Sequence, residues 1–155
     1  MTAINRRFYN ELVSYNTPSS SLNRTRKKWL EDVDKNSFIL SAYSDRDALF
    51  IGLINDHIVP INIKIYNNSR SIPYPFRPPI ITIGIFNYRS LLKLSCNTEK
   101  FLGVSCLCCS SLTCGNKWRP QFTIYKLLNE VKKNLEYKLR SVEIFHAIKI
   151  INKYF

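Results

Sequence analysis

Apolar residues recur every fourth position at the start of the chain, at Ile4, Phe8 and Leu12, with Val13 widening the stripe while Arg6, Arg7 and Asn10 face elsewhere. That spacing predicts an amphipathic helix capped by Thr2 and closed near Pro18. After the breaker Pro18-Ser19-Ser20-Ser21, the stretch from Leu22 to Asp34 combines Arg24, Arg26, Lys27 and Lys28 with Trp29, Leu30 and Val33, the pattern of a short second helix with a basic, solvated face. From Phe38 the period changes to two. Ile61, Ile63 and Ile65 alternate with Asn62 and Lys64 as in a half-buried strand. Strands are expected near Phe38 to Tyr43, Ala48 to Ile54, Ile58 to Tyr66 and Ile80 to Phe86. The polar turns Ser44-Asp45-Arg46-Asp47 and Asn55-Asp56-His57 are too short for parallel crossovers, so the four strands should form an antiparallel meander.

A long irregular region from Asn87 to Pro120 follows, and a connection of that length inside a compact domain usually carries function. Thr123 then caps a helix whose Ile124, Leu127, Leu128, Val131 and Leu135 share one face, and Val142 to Phe155 reads as a last helix with Phe145, Ile148 and Ile151 inward. Helix, antiparallel sheet, long loop and terminal helices make an α+β order, and 155 residues suit one domain. The longest apolar run, Ile80 to Phe86, is far shorter than a bilayer crossing, and Met1 to Arg7 lacks an apolar secretion core. Neither a membrane partner nor a signal peptide is expected.

Lys and Arg total 23 against 11 acidic residues, a net charge of +12 that attracts polyanions. The basic residues spread from Arg6 to Lys153 without gathering in a nucleic-acid motif, so nucleic acid is a weak expectation, and acidic protein surfaces are equally available partners. All five cysteines fall between Cys96 and Cys114. An odd, crowded set fits reduced thiols, a metal site or a nucleophile better than a disulfide scaffold, and points to a reducing compartment. Cys106-x-x-Cys109 with Cys114 and Cys96 has the ligands for a structural zinc; alternatively Cys96, Cys108 and Cys114 fill small buried sites. His57 in a turn and His146 on the last helix adjoin no cysteine in sequence and suggest no catalytic dyad. The abundance of Ile, Asn, Lys and Tyr is that of AT-rich coding, as in some large DNA viruses and parasites.

Two segments carry more specific information. Pro73-Tyr74-Pro75-Phe76-Arg77-Pro78-Pro79 has four fixed proline φ angles, which predict an extended rigid loop that presents Phe76. Downstream, Gly103-Val104-Ser105-Cys106-Leu107 is followed by Trp118-Arg119-Pro120 just before a helix. In this order the segments resemble the ubiquitin-conjugating enzymes, whose core reads Tyr-Pro-Phe-x-Pro-Pro, a His-Pro-Asn element, Gly-x-x-Cys-Leu and Trp-x-Pro. The resemblance runs over most of the chain, with Arg6, Arg7 and Glu11-Leu12 looking like the family's first helix. It implies the family's α+β fold as a single domain over residues 1–155: an amino-terminal helix, a four-stranded meander, a long active-site loop and carboxy-terminal helices.

The resemblance implies that Cys106 accepts ubiquitin, or a ubiquitin-like modifier, as a thioester and passes it to lysine, with Asn97 as oxyanion donor. No cofactor is implied for this chain, because the upstream activating enzyme spends the ATP. Phe76 and Pro120 match the loops that grip ubiquitin ligases, Arg6 and Arg7 match the face that docks on the activating enzyme, and Arg119 stands at the variable place where a charge tilts ligase choice. The implied location is cytoplasm or nucleus, the host's if the chain is viral. The sequence departs from the family at three points. Ser95-Cys96 replaces the His-Pro pair before Asn97, and Cys106 lies twelve residues before Trp118, a longer interval than usual, so spacing favours Cys109 as nucleophile while the Gly-x-x-Cys-Leu surroundings favour Cys106. The acidic or serine residue that usually flanks the cysteine has no clear counterpart, although Glu99 or Glu143 would serve if folding brought one there. A noncatalytic binding module of the same fold, with a zinc-stapled cysteine loop, is the alternative these departures leave open.

Overall fold

In the computed structural model, which describes residues 4–66, 72–93, 110–138, 150, 151 and 153, the first helix α1 spans Arg6–Tyr15. Asn5 is its cap, through an Oδ1 that accepts from the Phe8 N–H at 3.0 Å; Thr2 lies outside the described residues. Phe8 and Leu12 are buried as their spacing predicts, and Tyr15 joins them, whereas Ile4 precedes the cap and stands in solvent. A 3-10 turn at Ser19–Ser21 leads to α2, Arg24–Leu30, whose N–H groups begin on the Asn23 side chain. This helix is shorter than the stretch read from sequence. At its far end Asp34 belongs to a turn, with Oδ1 accepting from the Asn36 N–H and Oδ2 from the Ser37 hydroxyl, an alternative to helical pairing that short polar side chains favour.

The sheet is an antiparallel meander in the order β1 (Phe38–Tyr43), β2 (Asp47–Ile54), β3 (His57–Lys64), β4 (Ile80–Ile83) and β5 (Phe86–Asn87). Asn55 and Asp56, both at positive φ (47° and 66°), form the two-residue turn from β2 to β3. Five strands replace the expected four. The apolar run from Ile80 to Phe86 does not continue as one strand: Gly84 sits at φ 60°, the chain reverses, and Ile83 pairs with Phe86. Glycine suits the first position of such a hairpin turn. A Cβ at Gly84 would also come within 2.7 Å of Ile151 Cγ1, so the turn and the end of the chain pack without room between them.

Strand alternation puts Ala48, Phe50, Ile54, Val59, Ile61, Ile63, Ile81 and Ile83 in one buried cluster with Phe8, Leu12 and Tyr15 of α1. The same cluster takes in Ile124, Leu127, Leu128, Val131 and Leu135 from α4, Ile124–Lys138. Tyr15 joins the three layers, edge-on to Phe50 and stacked on Tyr125. Thr123 caps α4 as expected, with its Oγ1 accepting from the Lys126 N–H at 3.3 Å. The region after Asn87 is less irregular than its sequence suggests: α3, Tyr88–Leu92, opens it, and residues 110–123 form hydrogen-bonded turns. Of the predicted last helix, Ile151 is buried as expected; Phe145, His146 and Ile148 lie outside the described residues.

Candidate functional site

The proline-rich loop turns rather than running straight through. The Phe76 N–H donates to the Pro73 carbonyl at 2.9 Å across a cis Tyr74–Pro75 peptide, the arrangement of a type VI turn. Tyr74 points into the core, edge-on to Phe8, and Phe76 points out, 65% exposed. The Trp118 Nε1–H donates to the Pro75 carbonyl at 2.6 Å, and the Trp118 ring lies between Tyr74 and Phe122. Two loops more than forty residues apart are thereby joined one residue short of Phe76 on one side and of Arg119 on the other. Arg119 and Pro120 are both exposed.

Beneath this junction lies a buried carboxylate that the apolar pattern did not reveal. Glu11 is fully enclosed, yet it receives the Tyr74 hydroxyl on Oε2 at 2.5 Å and the Ile124 N–H on Oε1 at 2.8 Å, while its backbone carbonyl accepts from the Tyr125 hydroxyl. Ile124 opens α4, so its N–H has no partner within the helix, and Glu11 supplies one. The Arg7 guanidinium completes the knot. Its Nε lies 3.2 Å from Glu11 Oε2, an ion-pair contact without the alignment of a hydrogen bond, and its two terminal nitrogens donate to the carbonyls of Pro120 and Phe122. One side of the same group rests over the Trp29 ring, 5.1 Å from its centre.

Burial pushes the Glu11 carboxyl up to about 7, against the opposing pull of Tyr74, Arg7 and the Ile124 N–H. Tyr74 is pushed well above the usual tyrosine value, first by burial and then by the Glu11 charge, so its hydroxyl keeps its proton and remains a donor. A second carboxylate, Glu130 of α4, anchors the far end of the cysteine-bearing region. It accepts from the Tyr88 hydroxyl at 2.8 Å, the Ser111 hydroxyl at 2.7 Å and the Leu112 N–H at 2.6 Å, with Asn134 donating to the same tyrosine oxygen. The turn that follows carries Cys114, whose carbonyl accepts from the N–H groups of Lys117 and Trp118. Both glutamates had one visible signal: each stands three residues after a buried apolar residue and one before the next, Phe8 and Leu12 for Glu11, Leu127 and Val131 for Glu130. A charge on that arc of a helix must find partners inside.

Of the residues picked out from sequence, Arg7, Phe76, Arg119 and Pro120 belong to the two joined loops and the knot below them, and Arg6 lies exposed at the start of α1. Arg7 is not the free surface cation its helical position suggests, because Glu11 and two carbonyls engage it. Cys106 and Asn97 lie outside the described residues, as do Ser95, Cys96, Glu99, Cys108, Cys109 and Glu143. Among the described residues no cluster of three His, Cys, Asp or Glu side chains could hold a metal ion, and no helix is long and apolar enough to cross a membrane. No family model, curated protein or solved structure matches the chain.

Proposed function

We propose that this chain has the ubiquitin-conjugating fold and carries ubiquitin, or a ubiquitin-like modifier, on Cys106 for transfer to lysine. The observation that carries the reading is the Trp118–Pro75 hydrogen bond. It joins the two sequence segments that resemble the family, and it leaves Phe76, Arg119 and Pro120 facing solvent on the loops expected to meet a ligase. The order of elements supports it further: α1, a meander, the proline-rich loop ahead of β4, and the Trp-Arg-Pro turn at the start of α4.

In this reading the Cys106 thiolate attacks the thioester carbonyl presented by the activating enzyme, whose own cysteine leaves as thiolate. The acceptor amine then attacks the new thioester, loses a proton, and releases Cys106. Asn97 donates its amide to the oxyanion that forms when the amine attacks, and Arg6, exposed at the start of α1, offers the activating enzyme a cation. The reaction exchanges acyl groups between thiols and an amine, so it needs no group bound to this chain.

Charging decides the matter. The purified chain incubated with activating enzyme, ubiquitin and ATP should form an adduct that reductant removes on a nonreducing gel. The adduct should be lost in Cys106→Ala and retained in Cys109→Ala, and Asn97→Ala should slow transfer to lysine while leaving loading largely intact. Folded protein that forms no adduct with any of several modifiers would refute the proposal in favour of a binding module, for which zinc analysis of the cysteine loop is the next measurement.

A further inference from the structure

A cleft of about 410 Å³ lies between the start of β4, the start of α3 and the turn after Leu112, with Tyr66, Arg77, Asn87, Arg89, Thr113 and Gly115 in its walls. Its charge is of one sign: among the described residues that line it there are two arginines and no Asp or Glu. Arg77 is held in place, with its guanidinium carbon 3.5 Å from the centre of the Tyr66 ring. Neither Arg77 nor Arg89 has an ion-pair partner among the described residues, in contrast to Arg7, which is paired. Two guanidinium groups on one concave site, neither with an ion-pair partner among the described residues, in a chain of net charge +12, favour an anion with several oxygens, and the planar fork of arginine matches a carboxylate.

The geometry points to a binding site for an acidic polypeptide segment, with an Asp or Glu side chain entering the cleft between Arg77 and Arg89. A nucleic-acid strand fits less well. Arg77 already occupies the face of Tyr66, the other aromatic residue of the lining, Tyr88, is fully buried, and Pro78 and Pro79 wall the site into a pocket rather than a track for successive nucleotides. Arg89 and Thr113 lie shortly before and shortly after the stretch that contains Asn97 and Cys106. On the function proposed above, and resting on it, the acidic segment belongs to the protein that supplies the acceptor lysine.

Fluorescence anisotropy with the full chain tests the site without any need for catalysis. A labelled peptide with an Asp-Glu-Asp-Glu centre should bind, and its Asn-Gln-Asn-Gln counterpart should not. Arg89→Ala, at an exposed position, should weaken binding roughly ten- to hundredfold, the loss expected for a charge-assisted hydrogen bond. Arg77→Lys, which keeps the charge and loses the fork, should weaken it less than Arg77→Ala. Lys133→Ala removes the same charge from an exposed position on α4 and should leave binding unchanged. Equal loss in Lys133→Ala, equal binding of the amide peptide, or an arginine-dependent preference for a single-stranded oligonucleotide would each overturn the inference. If peptide binding fails while charging succeeds, the cleft assignment falls alone; peptide binding without charging leaves the cleft and removes the acceptor identification.

Discussion

Replacing Glu11 tests whether the carboxylate knot holds the helix, the proline-rich loop and α4 together. Glu11→Ala strands two buried neutral donors, the Tyr74 hydroxyl and the Ile124 N–H, at about 1–3 kcal/mol each, and takes the counter-charge from Arg7. Part of that loss is offset because a buried charge no longer has to be desolvated, so the net cost should be about 3–5 kcal/mol near neutral pH. Glu11→Gln keeps an acceptor for the Ile124 N–H and should cost only about 1–2 kcal/mol at pH 5. The pH dependence has a definite sign. The folded carboxyl titrates at about 7 and the ordinary value is 4.5, so between them the folded state holds more protons than the unfolded one. The contribution of Glu11 is therefore complete below pH 4.5 and is lost as pH rises through 7, on the order of 3 kcal/mol in all. Urea unfolding of the wild type and Glu11→Gln from pH 4.5 to 8, followed by tryptophan fluorescence at constant m-value, isolates this term. The Asp34 carboxyl, held low by its bonds to Asn36 and Ser37, acts in the opposite direction and is common to both proteins. The gap between the two curves should close, and the glutamine variant should match or exceed the wild type by pH 8. Parallel curves, or a Glu11→Ala cost under about 1 kcal/mol, would show that Glu11 does not hold these elements together.

Gly84→Ala should destabilise the fold by about 1–3 kcal/mol in the same unfolding assay, since alanine meets both the positive φ and the 2.7 Å approach to Ile151; unchanged stability would show that the hairpin relaxes without cost. Phe76→Ala removes an exposed ring and should alter thermal stability by less than about 0.5 kcal/mol. On the proposed function it should leave charging intact while slowing ligase-stimulated discharge at least severalfold, and equal loss of both steps would place Phe76 outside the ligase contact.

The α+β order, the meander through its first three strands, the capped and amphipathic α4 and the buried stripe of α1 follow from hydrophobic period and turn chemistry, because those signals are local. Strand period likewise marks β4 as apolar but does not locate its end: the chain reverses at Gly84, which takes a positive φ and leaves Ile151 the room that a side chain there would fill. The exposed state of Phe76 was legible from the proline spacing, although the loop folds into a turn where a straight run is expected. What tertiary structure alone decided is the fate of the polar groups. Arg7 looks like a surface cation and Glu11 like a solvated neighbour until Tyr74, Ile124 and the Pro120 carbonyl, between sixty and more than a hundred residues away, arrive to meet them. Burial of a charge is tolerated only where such partners converge, and convergence across that much sequence is a property of the packed chain. Arg77 and Arg89 show the converse, sharing one cleft with no carboxylate among its described walls, and no spacing in the sequence announces that they meet.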